Sequence, residues 1–112
     1  MPLKLSKHRF KKNEISTFLA NSHNVKAGLF TLFYETSAGP RYAVVCPKKV
    51  GSSPVRNKVK RQLREMVQAT TPMMNPNVSL IIIAHKKILS STFKNTRDVL
   101  LWNLKKRQMI QC

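Results

Sequence analysis

The chain has 112 residues, 42% of them hydrophobic, and carries 21 Lys+Arg against 4 Asp+Glu, a formal net charge of +17. This length suits one domain, 1–112, and the apolar share supplies a modest core, so a disordered basic tail is excluded. No apolar run approaches the ~20 residues that span a bilayer, which leaves a nucleic acid rather than a membrane as the partner the charge calls for.

The N-terminus, MPLKLSKHRFKKN, is basic with no apolar segment after it. Residues 1–8 are therefore expected to be flexible rather than a secretion signal, and the cytoplasm is the expected compartment. Asn13 is placed to cap a short helix over about Glu14 to Ala20, with Ile15, Phe18 and Leu19 at helical spacing. Residues 21–28 read as a loop. Leu29 to Glu35 is rich in aromatic and β-type residues and reads as a strand. Thr36 to Pro40 reads as a hairpin turn, and Arg41 to Cys46 as a second strand antiparallel to the first. After a loop at Pro47 to Ser53, Ser53 as N-cap and Pro54 at the first helical position start a helix that runs to about Ala69. Val78 to Ala84 is the most apolar stretch and reads as a central buried strand. Ser91 then caps a last helix of roughly fifteen residues with Phe93, Leu100 and Leu104 on its inner stripe. The order is αββαβα, an α+β chain folding as a two-layer α/β sandwich. Cys46 and Cys112 match neither a disulfide framework nor a zinc spacing and are expected as free thiols.

The segment from Pro47 to Glu65 carries the strongest functional signal. It holds Lys48, Lys49, Arg56, Lys58, Lys60, Arg61 and Arg64, with no acid before Glu65. At 100° per residue, Val55, Val59, Leu63, Met66 and Val67 fall within an arc of about 120°, a buried stripe. Arg56, Asn57, Lys60, Arg61 and Arg64 occupy the adjacent arc of about 140°. Lys58 and Glu65 lie on the far side. A merely solvated face mixes signs, because opposite charges four apart stabilise a helix by a few tenths of a kcal/mol. Here Arg56–Lys60 and Lys60–Arg64 set like charges four apart instead, which points to a polyanionic ligand. Asn57 adds an amide able to bond a phosphate, a 2′-hydroxyl or a base edge.

Lys48-Lys49-Val50-Gly51, followed by Arg56-Asn57-Lys58-Val59-Lys60-Arg61 and Leu63-Arg64-Glu65, resembles the signature of the bacterial ribonuclease P protein subunit. The resemblance covers nearly the whole chain. It implies a crossover through the basic helix that is left-handed, against the usual rule, in the manner of the second domain of a small-subunit ribosomal protein. It implies two RNA partners: the ribonuclease P RNA subunit and precursor tRNA, whose 5′ leader the assembly removes. Lys48, Lys49, Arg56, Asn57, Lys58, Lys60, Arg61 and Arg64 are then expected to face the RNA subunit. A cleft between the first helix and the sheet is expected to receive the leader, with Arg9, Lys11, Lys12, Ile15, Phe18, Leu19 and Phe33 as its candidate residues. The chain departs from the family pattern at several points. Lys58 replaces an arginine, and Gly51-Ser52-Ser53-Pro54 stands where G-N-A-V is common. Ile15 and Leu19 stand where the first helix usually has phenylalanines, and Phe33 where a tyrosine is common. Phe18 is the alternative source of a ring for stacking. Without the family, Phe33 reads equally as a stacking platform or a core residue, since it shares a strand face with Leu29, Thr31 and Glu35.

The side chains themselves show no catalytic constellation. Two-metal hydrolysis needs clustered carboxylates, and Glu14, Glu35, Glu65 and Asp98 fall on four different predicted elements. Metal-free cleavage needs an acid–base pair, and His8, His23 and His85 fall in predicted loops or the N-terminus. The family implies that the protein binds no cofactor by itself and that magnesium in the RNA complex performs the hydrolysis. A structural RNA-binding protein of the ribosomal type, or a non-specific DNA-compacting protein, is the competing reading of the charge.

Overall fold

The apolar run at 79–84 organises the molecule. In the computed structural model, which describes residues 10–36 and 39–110, it forms a strand with neighbours on both edges. The elements in chain order are α1 (Lys12–Asn21), β1 (His23–Lys26), β2 (Phe30–Glu35), β3 (Arg41–Val45), α2 (Ser53–Thr70), β4 (Ser79–Ala84) and α3 (Phe93–Lys106). Short 3-10 turns occupy Lys48–Val50, Thr71–Met73 and Lys86–Ser90. The sheet order is β1-β2-β4-β3. β4 runs antiparallel to β2 and parallel to β3. The expected flexibility of residues 1–8, and Cys112, lie outside the described residues.

This order corrects two expectations. Strands β2 and β3 do not form a hairpin: both Glu35 and Arg41 pair with Ser79, so β4 lies between them. A strand buried on both faces must also satisfy its backbone groups on both edges. Ser-Leu-Ile-Ile-Ile-Ala is the segment that meets both demands, and the less apolar β2 and β3 flank it. The connection at 36–40 has only to cross two strand spacings, roughly 10 Å, within reach of five residues. The expected loop at 21–28 instead contains β1, antiparallel to β2. Its sequence, His-Asn-Val-Lys, has one β-type residue, and pairing with the free edge of β2 overrides that weak propensity. The true hairpin lies here: Gly28 takes φ +86° and the Ala27 N–H donates to the Phe30 carbonyl at 2.9 Å.

Side chains alternate across the sheet. Phe30, Leu32, Tyr42, Leu80, Ile82 and Ala84 face one way and bury against α2 (Val59, Leu63, Met66, Val67) and α3 (Leu100, Leu104), closed by Val50 and Met109. This two-layer body is the main core. On the opposite face Ile81 is buried with Phe10 and Phe18, and Ile15, Leu19, Phe33, Ala43, Val45 and Ile83 pack around them, so α1 lies across that face.

Helix starts differ in detail from expectation. Lys11, not Asn13, is the residue before α1; Glu14 reaches back to accept the Lys11 N–H at 2.8 Å, which leaves Asn13 inside the first turn. Ser52, not Ser53, precedes α2, with Pro54 in the first turn. Thr92, not Ser91, caps α3 by accepting the Asn95 N–H at 3.0 Å. Phe93 (39% exposed) and Val55 (36% exposed) leave the buried stripes assigned to them. Both occupy the first turn of their helices, beside the open groove that separates α2 from the start of α3, where Leu89 also lies exposed. Thr96 takes the buried position in α3 instead.

Ile82 is fully buried at the centre of the main core. Ile82→Ala should lower unfolding free energy by about 2–5 kcal/mol, read from the urea midpoint at unchanged slope.

Candidate nucleic-acid interface

Helix α2 is anchored by Val59, Leu63, Met66 and Val67, all buried against the sheet. That anchorage fixes where the remaining side chains point. Asn57, Arg61 and Arg64 are exposed, and Arg56 and Lys60 are half-buried on the side toward the end of β3. The charges of Lys60 and Arg56 act on Cys46 there, although burial is the larger effect and holds its thiol above the usual value of 9.0. Arg56 Nη2 donates to Ser53 Oγ at 3.0 Å, while its enclosed Nε has no partner. Lys58 lines the groove toward α3 with Val55, Gln62 and Phe93, away from the main cationic flank. Ahead of the helix, buried Val50 pins the turn that exposes Lys48 and Lys49. Gly51 fits there because a Cβ would stand 3.0 Å from Val55 Cγ1. Among the described residues no carboxylate pairs with any of these cations; the Glu65 side chain is exposed and four residues from Arg61, yet makes no ion pair with it.

The second candidate surface is the opposite sheet face. Glu14 ties α1 to it: Arg41 Nη1 donates to Glu14 Oε2 at 2.7 Å, and the Arg41 guanidinium lies 4.8 Å over the Phe10 ring. The Glu14 carboxyl is held below its ordinary value of 4.5, first by the Lys11 N–H and then, against some desolvation, by the Arg41 charge. Phe10 and Phe18 form a tilted ring pair, with centroids 4.7 Å apart and planes at 60°. Phe18 is 8% exposed and its ring packs with Phe10 and Ile81, at the edge of an open pocket lined by Asn13, Glu14, Thr17 and Arg41. Ile15, Leu19 and Phe33 remain half-exposed beside Val45 and Ile83, an apolar strip between α1 and the sheet. Strand register sets Asn24 opposite Phe33 and Lys26 opposite Thr31, and Thr31 Oγ1 is hydrogen-bonded to His85 Nε2 at 2.6 Å. The polar groups of β1 were hidden from sequence reasoning because four residues with one apolar position carry no readable alternation. Lys11 is exposed at the start of α1. Arg9 and the Lys12 side chain lie outside the described residues.

Comparison with known proteins settles the family. The family model described as Ribonuclease P matches residues 5–108. The chain belongs to the ribonuclease P protein family. It is 30% identical over 108 residues to the ribonuclease P protein component of Brevibacillus brevis, covering 93% of this chain and 86% of that one. With the Bacillus velezensis component it shares 34% identity over 101 residues, 84% of each chain. The fold is similar to that of the Staphylococcus aureus RNase P protein, with TM-score 0.79 and 23% identity over 93% of this chain and 98% of that one. The Thermotoga maritima RNase P protein is similar at TM-score 0.73 and 20% identity, over 95% and 96% of the two chains.

A ribonuclease P protein is an RNA-binding subunit of a ribonucleoprotein endoribonuclease of tRNA processing, and this chain is such a subunit. RNA, including a tRNA substrate, is accordingly its partner in general terms. Among the described residues no helix is long and apolar enough to cross a membrane, and no three His, Cys, Asp or Glu side chains cluster to hold a metal ion. His23 stands in β1 rather than a loop, its ring 5.5 Å from that of Tyr34, and His85 bonds Thr31, so the two histidines are separately engaged.

Glu14 gives the α1 surface a pH dependence. Its folded pKa is lowered, so its contribution is full above the ordinary value of 4.5 and is lost as pH falls through the folded value. Acid should therefore lower the urea midpoint of the native chain, and Glu14→Gln should lower it at neutral pH while flattening the acid limb. An unchanged acid limb in the Gln variant would show that Glu14 does not hold α1 in place.

Proposed function

We propose that the α2 flank and the turn before it bind the ribonuclease P RNA subunit, and that the cleft between α1 and the sheet receives the single-stranded 5′ leader of precursor tRNA. One observation carries the first half: a helix anchored by four core side chains presents Arg56, Asn57, Lys60, Arg61 and Arg64 on one flank with no carboxylate partner among the described residues. Like charges four apart cost a few tenths of a kcal/mol each in the free protein. Phosphates meet them, and arginine forks grip phosphates bidentately. An incoming phosphate also gives Arg56, whose Nε lacks an acceptor, a reason to rearrange. Lys48 and Lys49 extend this surface. Lys58 contributes less, being a point charge turned toward the groove beside α3.

For the leader, Phe33 offers the half-exposed ring, with Ile15 and Leu19 as an aliphatic wall in place of further rings. Lys11 supplies exposed charge at the start of α1, and a leader role for Arg9 and Lys12 rests on the family resemblance alone. The protein's part is to position substrate and to screen the repulsion between two RNAs. In this reading it needs no cofactor of its own; magnesium supplies the hydrolytic chemistry in the RNA complex, within the cytoplasm.

Purified chain mixed with the RNA subunit should cleave precursor tRNA at lower magnesium than the RNA alone. No gain at any salt concentration would sink the proposal. Arg56→Ala and Arg61→Ala should each weaken assembly with the RNA subunit by roughly tenfold or more, and Lys58→Ala by less than about threefold. Equal losses for the three in a binding titration would refute the division of α2 into faces. Phe33→Ala should lower affinity for precursor tRNA by about fivefold or more while leaving affinity for leaderless tRNA unchanged.

A further inference from the structure

Trp102 has no explanation in the fold or in the two surfaces described above. It is 59% exposed, the most exposed of the large hydrophobic side chains among the described residues. Lys106 Nζ sits 4.7 Å from its ring centroid. Lys105 is exposed one turn along, and Arg107 ends the helix with Nη1 bonded to Asn103 Oδ1 at 3.3 Å. The ring borders an open groove of about 530 Å³ whose apolar lining comes from Val25 and Ala27 at the end of β1 and Val99 of α3. Asp98 is the one carboxylate in that lining. Lysines in a last helical turn also favour the helix dipole, but this does not account for a tryptophan held out in solvent beside them.

We propose that the Trp102 groove is a second, separate contact for single-stranded RNA, in which an unpaired base stacks on the indole while Lys105, Lys106 and Arg107 meet the flanking phosphates. The inference rests on the RNA-binding reading of the family and adds a site to it. Aromatic rings beside cations are the arrangement by which unpaired nucleotides are held without sequence preference. With a net charge of +17 the chain repels basic partners and attracts polyanions, and the exposed indole, on which an unpaired base can stack, favours RNA over an acidic peptide as the occupant. The site cannot be an extension of the α2 flank. The groove adjoins β1, whereas Arg56 and Lys60 lie toward β3, and these strands are the two edges of the sheet, about 14 Å or more apart. Nor is it the α1 cleft, because Val25 packs with the main core on the other sheet face. A subunit with cationic surfaces at both sheet edges can hold two RNA segments at once.

Trp102 is the only tryptophan, so its emission reports this site alone. The full chain is titrated with a labelled single-stranded RNA and with the matching duplex. Label anisotropy follows binding anywhere on the protein, and tryptophan emission follows the groove. The titrations are repeated in Phe33→Ala protein, so that binding in the α1 cleft does not mask the result. The expected result is saturable quenching by the single strand and little by the duplex. Trp102→Ala should weaken single-strand binding about fivefold or more, and Trp102→Phe should keep most of the affinity. Lys106→Ala should reduce the salt dependence of the quenching. Anisotropy that saturates with unchanged emission, equal quenching by duplex, or undiminished binding by Trp102→Ala would overturn the proposal. Failure of the family-level reading would appear elsewhere, as wild-type chain that gives the RNA subunit no gain in leader removal.

Discussion

The parallel pairing of β3 with β4 is the constraint on which the rest of the structure depends. Parallel neighbours cannot be joined by a tight turn; the chain must leave one end of the sheet and return to the other. The segment that makes this journey is the basic one, 46–78, and the journey forces α2 to lie along the sheet face. Once Val59, Leu63, Met66 and Val67 are committed to the core, the cations between them have only the flanks to occupy. The one-sided cationic flank of α2 is thus a by-product of how β3 and β4 are connected.

The same sheet separates two kinds of surface. One face is filled by α2 and α3 and is fully apolar at its centre. Among the described residues the other is covered by α1 and by Phe10 just ahead of it, through Phe10, Phe18 and the Glu14–Arg41 pair, which leaves Phe33, Val45 and Ile83 half-open. A ten-residue helix held by one buried ring, Phe18, and a partly exposed ion pair is a modest attachment. Such a cover leaves room beside it for an extended strand of nucleic acid, which a second full helical layer would exclude.

Charge economy explains the remaining surface. Four acids among 112 residues cannot neutralise the cations, and one of them, Glu14, is engaged with Arg41. The free protein therefore carries repulsion that is relieved in an assembly with RNA. Trp102 extends the same logic to the β1 edge, where a ring and three cations end α3.

Much of this was legible in the residues. The spacing from Val59 to Val67 placed α2 and its cationic flank, and the run Leu80 to Ala84 announced the central strand, because a helix period and a continuous apolar run are local signals. The signature from Lys48 to Glu65 carries the family resemblance by spacing alone. What the residues could not decide were matters of pairing and position. Strand order is one: β2 and β3 are neighbours in sequence, and only competition for both edges of β4 keeps them apart. β1 is another, since His23–Lys26 becomes a strand solely because β2 has an edge to offer. Phe18, Val55 and Phe93 obeyed the helical period, yet burial depended on whether a partner surface lay opposite them. A sequence states which side chains share a face of an element. Only the packed molecule determines what that face meets, because that depends on segments far away in the chain.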